Sequence, residues 1–294
     1  MEKELKDGRR DFIKNVSLLT GAMMLPTGQL VFGKGKTPGM KLGFVTYQWG
    51  KDWDQDTLIK NLSAAGIHGV ELRVEHAHKV SPALTKEERL LVKKKFKDSP
   101  VEIVGMGTNQ QYDFLEPEKL QKSIAETKAF FQLSHDIGGS GVKVKPNGFH
   151  KEISHEKTIE QIGKALKELA IFGADMGQQL RLEVHGEETQ EVFNIKAIMD
   201  VANHPNATVC WNCNSQDLNG GGLEANFNMV KARFGDICHV RELNEKGYPY
   251  QDLMKLFVKN NYKGWILLEC RTDPADKVKA LIEQREIFEK MIKA

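Results

Sequence analysis

The stretch Leu180-Arg181-Leu182-Glu183-Val184-His185-Gly186 alternates apolar side chains with ionisable ones. Side chains two residues apart on a strand point to the same face, so this segment is expected to form a strand with one apolar and one charged face. Strands of a parallel sheet are normally apolar on both faces because helices cover them. The charged face therefore predicts a polar site inside the sheet rather than a purely structural strand.

Seven further strand-like apolar runs occur after residue 40, and each of the eight runs precedes a longer segment with helical periodicity. Eight such units in about 250 residues are typical of an α/β protein with a (β/α)8 TIM barrel. The predicted strands are 41–47, 69–74, 101–105, 141–145, 180–185, 208–212, 237–241 and 264–270. The predicted helices are 54–65, 85–97, 116–137, 155–176, 190–202, 224–234, 250–260 and 275–292.

A doubly wound open sheet is the main competing fold. Its usual nucleotide-binding forms carry a G-x-G-x-x-G turn after the first strand, but this chain has Gln48-Trp49-Gly50-Lys51-Asp52 there. No P-loop motif occurs elsewhere in the sequence. We therefore predict one barrel domain over residues 38–294.

The N-terminal 37 residues are predicted to be an export signal and linker. Arg9-Arg10-Asp11-Phe12-Ile13-Lys14 is followed by a weakly apolar stretch over 16–25. Paired arginines before such a segment resemble a twin-arginine signal, which predicts a periplasmic location. No apolar run approaches the roughly 20 residues that span a bilayer, so no stable membrane span is expected.

The charge balance of the 294-residue chain points to a small neutral ligand rather than nucleic acid. The formal net charge is +2, of which +3 lies in residues 1–36, so the remainder carries −1. Nucleic-acid binding needs a basic face, which this body lacks. A small-molecule carbohydrate fits better, and a homodimer is a possible assembly. Cys210 and Cys213 form a C-x-x-C, but no second pair follows and a buried structural role is expected.

Ionisable and amide side chains stand at alternate positions near the ends of six predicted strands. The set is Glu71 and Arg73; Lys143 and Lys145; Arg181, Glu183 and His185; Asn212 and Asn214; His239 and Arg241; Glu269 and Arg271. Burying so many polar groups is costly unless they pair, bind a metal or meet a polar ligand. Since chemistry in this fold occurs at the C-terminal strand ends, we expect an active site there. The alternative is a barrel interior in which these charges only neutralise one another.

Four of these residues form a candidate metal site. Glu183, Asn212, His239 and Glu269 come from four consecutive strands, and each lies near the end of its strand. Two carboxylates, one imidazole and one amide oxygen suit Mn²⁺ or Mg²⁺ better than a closed zinc site, with Co²⁺ or Zn²⁺ as further possibilities.

The chain resembles the xylose-isomerase-like barrel superfamily, and most closely its sugar phosphate isomerase/epimerase branch. The motifs that carry the resemblance are Gly69-Val70-Glu71-Leu72-Arg73, Val142-Lys143-Val144-Lys145-Pro146-Asn147-Gly148, Leu182-Glu183-Val184-His185-Gly186, Cys210-Trp211-Asn212-Cys213-Asn214 and the segment from His239 through Tyr250. The resemblance covers nearly the whole chain after residue 40.

The resemblance implies a divalent metal held by Glu183, Asn212, His239 and Glu269. This sequence departs from the family pattern at Asn212, where tagatose-epimerase-like relatives have Asp, and at Ser215, where a histidine often stands. These departures put metal affinity in question, because one negative charge is lost.

The chemistry implied is proton transfer at a carbon beside a carbonyl. Glu183 and Glu269 would remove and return the proton, and His185 and Lys145 would orient or protonate sugar oxygens. The substrate-binding residues expected beside them are Glu71, Arg73, Lys143, Asn214, Arg241 and Trp49. Tyr47 and Trp211 are further candidates to stack on sugar faces, although Trp211 fits the core equally well.

Three alternatives to an isomerase or epimerase remain open from the sequence. The same enolising site would serve a lyase that cleaves 3-keto-glycosides. A non-catalytic sugar-binding barrel is favoured by Asn212. An abasic-site endonuclease shares the fold, but it needs more His and Asp ligands than this chain offers, and a DNA-binding face.

Overall fold

The predicted (β/α)8 barrel is confirmed by the computed structural model, which describes residues 39–293. The strands are β1 Lys41–Val45, β2 Gly69–Arg73, β3 Glu102–Gly107, β4 Gly141–Val144, β5 Gln179–Glu183, β6 Ala207–Cys210, β7 Ile237–Val240 and β8 Trp265–Leu268. The helices are α1 Gln55–Ala65, α2 Lys86–Lys97, α3 Pro117–Ile137, α4 His155–Asp175, α5 Val192–Ala202, α6 Gly222–Val230, α7 Tyr250–Lys259 and α8 Lys277–Met291. The export signal predicted over residues 1–37 lies outside the described residues.

The eight strands are parallel and follow the order β6-β5-β4-β3-β2-β1-β8-β7. The gap between β6 and β7 is closed by two isolated parallel bridges, Val209 with Phe234 and Asn212 with His239. The amide of His239 donates to the carbonyl of Trp211 over 2.7 Å. The barrel therefore closes beside two of the predicted metal ligands, and this bond fixes their relative height.

The apolar side chains of the strands fall into two cores. Leu72, Leu182 and Val240 are fully buried in the large core that also contains helix residues such as Leu58 and Ile162. A second, smaller cluster belongs to the barrel interior and consists of Val45, Val104, Cys210, Ile237, Trp265 and Leu267. Three of its members stand two residues before Asn212, His239 and Glu269, so it forms the floor beneath the polar site.

The helices begin and end where local chemistry predicts. Thr85 accepts a hydrogen bond from the amide of Glu88 (3.2 Å), and the Glu88 carboxylate accepts one from the amide of Thr85 (2.8 Å). This reciprocal capping box satisfies two amides that would otherwise lack partners at the start of α2. None of the described helices has the length and apolarity needed to cross a membrane.

The C-x-x-C motif carries no disulfide. Cys210 and Cys213 are both buried with free thiols. The Cys213 thiol lies 3.6 Å from the carbonyl of His239, and desolvation raises its pKa well above the ordinary value. Both cysteines serve as small apolar side chains, Cys210 at the end of β6 and Cys213 three residues beyond it.

Candidate functional site

Six polar side chains form one level of the barrel interior, which we call the lower layer. They come from β2, β4, β5 and the ends of β6 to β8, and all are buried: Glu71, Lys143, Glu183, Asn212, His239 and Glu269. The residues two positions further along the same strands form an upper layer, nearer to solvent: Arg73, Lys145, His185, Asn214, Arg241 and Arg271. The period of two along a strand produces both layers.

Glu183, His239 and Glu269 converge at the centre of the lower layer. His239 Nδ1 lies 3.5 Å from Glu183 Oε1 and 3.9 Å from Glu269 Oε2. One ligand atom from each of the three residues lies within 4.8 Å of the others. A cation placed among these atoms would have two carboxylates and one imidazole as ligands, which is a donor set that divalent metals accept.

Asn212 completes the lower layer on the side of β6. Its Nδ2 donates to Glu183 Oε1 over 3.0 Å, while its Oδ1 is buried without a hydrogen-bond partner. His239 Nδ1 is likewise buried without one. A buried acceptor without a partner is unfavourable, and a metal ion would satisfy both atoms. Glu183, His239 and Glu269 therefore fit a divalent metal, and Asn212 adds a neutral amide oxygen without a partner beside Glu183.

Glu183 is held from its other side by Lys143. The Lys143 ammonium donates to Glu183 Oε2 over 2.7 Å and to the carbonyl of Thr108 over 3.3 Å. Burial alone would raise the pKa of Glu183, but Lys143 and His239 hold that pKa well below its ordinary value. Lys143, one of the expected substrate-binding residues, is fully buried and contacts Glu183.

Glu71 occupies the opposite side of His239. Its Oε1 lies 3.3 Å from His239 Nε2, and both side chains are fully buried. A Cβ at Gly107 would stand 2.5 Å from Glu71 Oε1, so the neighbouring strand needs glycine at this point. Glu71 therefore lies in the floor of the site, against the nitrogen of His239 that faces away from Glu183 and Glu269.

Arg73 and Lys145 of the upper layer share one partner. Arg73 Nη2 donates to Asn109 Oδ1 over 3.0 Å, and Lys145 Nζ lies 3.4 Å from the same oxygen. Arg73 also forms an ion pair with Glu269 Oε1 (3.4 Å) and stacks over the ring of Tyr47 at 4.9 Å. Burial and the nearby Lys143 lower the pKa of Lys145. The sequence did not single out Asn109, because it follows β3 in a loop with no motif.

His185 sits above Glu183 and is fixed by the loop after β4. Its Nδ1 lies 3.0 Å from Asn147 Oδ1. Thr189 Oγ1 donates to the Asn147 carbonyl over 2.6 Å and to the His185 carbonyl over 2.9 Å. Burial, strengthened by Lys145, Lys143 and Arg271 against the opposing pull of Glu183, lowers the pKa of His185 to about 4. The imidazole is therefore neutral at neutral pH and can both donate and accept a hydrogen bond.

The aromatic candidates differ in position. Trp49 is 2% exposed and its indole donates to the carbonyl of Thr272 over 2.9 Å, so only its edge reaches a cavity wall. Trp211 is fully buried against Phe227 and Phe234 and belongs to the core. Tyr47 stays half-buried beneath Arg73. Tyr47 therefore contacts a side chain of the upper layer.

Two open cavities flank the upper layer at the C-terminal face. One, of about 650 Å³, is lined by His185, Asn214 and Tyr248 among others. The second, of about 490 Å³, is lined by Trp49, Thr272 and Gln284 among others. Arg241 and Arg271 belong to the walls of both. The volumes fall within the range that small-molecule sites occupy.

A buried carboxyl that the sequence did not indicate lies behind the first cavity. Asp217 is fully buried and accepts hydrogen bonds from the amide of Asn214 (2.9 Å) and the hydroxyl of Tyr248 (2.7 Å). Burial raises the pKa of Asp217 to about 7. Asn214 also donates to the carbonyl of Val184 over 2.7 Å. Its amide nitrogen is therefore engaged within the protein, and the sequence offered no signal for Asp217 because it falls in a short 3-10 turn.

Comparison with known proteins places this geometry in context. The sequence profile of a family described as xylose isomerase-like TIM barrel matches residues 59–291. No curated protein matches the chain by sequence.

Three of the similar solved structures are a 3-keto-D-glucoside 4-epimerase from E. coli, a D-allulose 3-epimerase from Methylomonas sp. in complex with D-allulose, and an IOLI protein with a bound zinc atom. The first is 12% identical with a TM-score of 0.71, over 85% of this chain and 99% of the other. The second is 16% identical with a TM-score of 0.73, over 85% and 96%. The third is 12% identical with a TM-score of 0.70, over 86% and 98%. At these identities the likeness establishes a shared fold.

Proposed function

We propose, from the premise that the chain belongs to the xylose isomerase-like TIM barrel family, that it is a sugar isomerase or epimerase. The observation that carries the proposal is the convergence of Glu183, His239 and Glu269, with one ligand atom of each within 4.8 Å of the others. The fold shared with two sugar epimerases is consistent with this reading. Fold alone does not assign a reaction, so the argument rests on the site.

A divalent metal is part of this proposal. Glu183, Asn212, His239 and Glu269 would hold it, because they supply two carboxylates, an imidazole and an amide oxygen that lacks a partner. Mn²⁺ or Mg²⁺ suits the mainly oxygen set best, while Co²⁺ and Zn²⁺ also accept such ligands. When bound, the metal would supply Lewis-acid stabilisation of charge on a substrate oxygen.

The proton transfers are assigned to the two glutamates at the centre. One glutamate, as a carboxylate, accepts the proton from the carbon beside the carbonyl. The other, in its protonated form, gives a proton to the opposite face or to the neighbouring carbon, and the pair exchanges protons with solvent between turnovers. Lys143 keeps Glu183 ionised, whereas Glu269 is held by Arg73 at the longer distance of 3.4 Å. His185, neutral and fixed by Asn147, is placed to exchange a hydrogen bond with a substrate hydroxyl.

Lys143 and Glu71 act in this proposal as positioning residues. Lys143 fixes one oxygen of Glu183, and Glu71 faces the far nitrogen of His239. Contacts of this kind orient ligand side chains and set their basicity. Neither residue is assigned a contact with substrate.

The experiment that tests the proposal is deuterium exchange. The purified protein, loaded with Mn²⁺, is incubated in D2O with D-fructose, D-allulose, a 3-keto-glucoside, D-fructuronate or D-fructose 6-phosphate, and NMR follows loss of the proton beside the carbonyl. We expect exchange with at least one keto-sugar and none with Glu183→Gln or Glu269→Gln. The matched control is Glu160→Gln on the outer face of α4, which is expected to exchange at the normal rate.

Metal content is measured on the same samples by elemental mass spectrometry. About one metal ion per chain, lost in Glu183→Gln, is the expected result. Normal exchange in either glutamate variant would contradict the two-carboxylate mechanism. An absence of exchange with every keto-sugar would favour a non-catalytic sugar-binding barrel.

A second candidate reaction is cleavage of 3-keto-glycosides at the same site. The favouring observation is the space at the open face, where two cavities of about 650 and 490 Å³ share the wall formed by Arg241 and Arg271. A glycoside has a second group that needs such room. After the same proton removal, the electron pair would expel the group at the β carbon, breaking the glycosidic bond and leaving an enone. Release of p-nitrophenol from a p-nitrophenyl 3-keto-glucoside would identify this reaction, and epimerisation without release would exclude it for that substrate.

Export through a twin-arginine signal is proposed for the N-terminal region. The supporting observation is the pair Arg9-Arg10 before Phe12, Ile13 and Lys14. A periplasmic enzyme would encounter sugars that enter from outside the cell.

A further inference from the structure

The two layers of the barrel interior carry opposite charge. Three of the six lower-layer residues are carboxylates, Glu71, Glu183 and Glu269, against one lysine. The upper layer contains Arg73, Lys145, Arg241 and Arg271 and no carboxylate. The matching positions after β1 and β3 are Tyr47 and Asn109, which are also not acidic. A substrate that reaches the acidic centre must therefore pass a basic ring.

The cations of this ring differ in how they are neutralised. Arg73 is paired with Glu269 and, with Lys145, is held by Asn109. Arg241 and Arg271, in contrast, form no ion pair with any carboxylate within residues 39–293. Arg241 Nε is buried without a hydrogen-bond partner. A guanidinium with a buried N–H and no anion is unfavourable unless a ligand supplies the anion.

The position of these two arginines links them to the proposed reaction. Arg241 stands two residues after His239, and Arg271 two residues after Glu269. Both line the two cavities that open above the centre. The acidic residues of those walls do not cancel them. Glu242 is already engaged by the amides of Arg271 and Thr272. Glu187, Glu245 and Glu283 lie exposed, where solvent screens their charge.

We propose that the substrate is an anionic carbohydrate, whose carboxylate or phosphate is bound between Arg241 and Arg271 while its carbonyl end lies over Glu183 and Glu269. The proposal rests on the proposed function and names the substrate class of that site. Guanidinium groups bind carboxylate and phosphate in the same forked geometry, so sugar acids and sugar phosphates share the required chemistry. A neutral sugar would leave both arginines without a counter-ion.

The test is calorimetric titration of the Mn²⁺-loaded full chain with three sugars that share one ring: D-glucose, D-glucuronate and D-glucose 6-phosphate. A charge-assisted pair of bonds leads us to expect at least about tenfold tighter binding of one anionic sugar than of glucose. The double variant Arg241→Gln with Arg271→Gln should reduce this preference to less than about twofold. Tight binding of the glucuronate alone would identify a sugar acid, and of the 6-phosphate alone a sugar phosphate.

The matched control removes the same two positive charges from the outer surface, by Lys119→Gln with Lys164→Gln. It should keep the anion preference, because both lysines are exposed on the outer helices. If the double arginine variant melts at a lower temperature, Arg271→Gln alone provides the comparison, since its side chain is exposed. Equal binding of the three sugars, or a preference that survives in the arginine variant, would overturn this inference and leave the proposed function standing. Failure of every sugar to bind, together with no deuterium exchange, would overturn both.

Discussion

Lys143 and Glu183 form a fully buried ion pair, with Nζ 2.7 Å from Oε2. The pair sits at the centre of a barrel whose apolar floor excludes water. Two opposite charges in such a place are tolerable only together, since each alone would bear an uncompensated desolvation cost. Lys143 therefore ties the stability of the barrel to the ionised state of a proposed catalytic residue.

Lys143→Met should destabilise the protein by about 3–5 kcal/mol, because it leaves Glu183 buried without its cation. The same change should raise the pKa of Glu183. Urea denaturation at neutral pH measures the first effect. Lys164→Met is the control, as its ion pair with Glu160 is exposed and we expect no resolvable change. Equal stability of both variants would show that Lys143 does not stabilise the ionised Glu183.

Asn212→Asp should tighten Mn²⁺ binding, because a charged oxygen replaces a neutral one beside Glu183 and His239. Without metal, the new carboxylate would stand close to Glu183 and lower the melting temperature. Calorimetric titration should therefore show tighter Mn²⁺ binding by the variant. Thermal melts in EDTA should show a lower melting temperature than that of the native chain. Gln121→Glu on α3 adds the same charge at an exposed, distant position as a control. Unchanged metal affinity would remove Asn212 from the ligand set.

Asp217 predicts a specific pH dependence of stability. Its folded-state pKa, raised by burial to about 7, exceeds the unfolded value near 4. The folded protein therefore retains a proton that the unfolded chain has lost between about pH 4 and pH 7, so the free energy of unfolding falls as pH rises through that window. This difference in pKa lowers the free energy of unfolding by roughly 4 kcal/mol at most over the whole window.

Asp217→Asn removes this titration while keeping an acceptor for Tyr248 and Asn214. We expect the variant to gain stability relative to the native chain on going from pH 4 to pH 8, by several kcal/mol. Urea denaturation at both pH values measures the difference. A difference between the two proteins that is independent of pH would mean that the pKa of Asp217 is not raised by folding.

Gly186→Ala should disrupt the contact between the loops after β4 and β5. The residue has φ +93°, and a Cβ would come within 1.4 Å of the carbonyl oxygen of Asn147. Gly177→Ala isolates the backbone cost, since Gly177 has φ +64° with nothing within 4 Å of its Cβ position. Chemical denaturation should show that Gly177→Ala lowers the free energy of unfolding by about 1–2 kcal/mol and that Gly186→Ala lowers it clearly more. Similar losses of stability in the two variants would mean that the loop carrying Asn147 moves aside freely.

The export proposal predicts that replacing Arg9 and Arg10 by lysine retains the full-length protein in the cytoplasm of a host with a twin-arginine pathway. Cell fractionation followed by immunoblotting measures the distribution. Changing Lys34 and Lys36 to arginine alters two basic residues of the same region without touching the pair, and export should be normal. Periplasmic accumulation of the Arg9 and Arg10 variant would contradict a twin-arginine signal.

The fold could be predicted from sequence because its signals are local. Each strand and helix lies within a few residues of its predicted range, and the capping box at Thr85 was visible as a pattern of four residues. The alternation in Leu180–Glu183 and in five other strands reports burial directly, since a strand segregates its faces with a period of two. Because eight strand–helix units repeat along the chain, a closed barrel is the architecture that accounts for all of them.

The sequence also determined which side chains share the barrel interior, but the tertiary structure alone decided how deep each one lies and what it contacts. Lys143 and Glu71 follow the same alternation as Lys145 and Arg73, yet the first two are sealed in the lower layer and the last two reach the upper one. Depth depends on how neighbouring strands are staggered, and pairing depends on distances across the barrel between residues up to 196 positions apart, as for Arg73 and Glu269. Neither quantity has a local signature, because the energy of a buried charge is set by the groups that other strands bring against it.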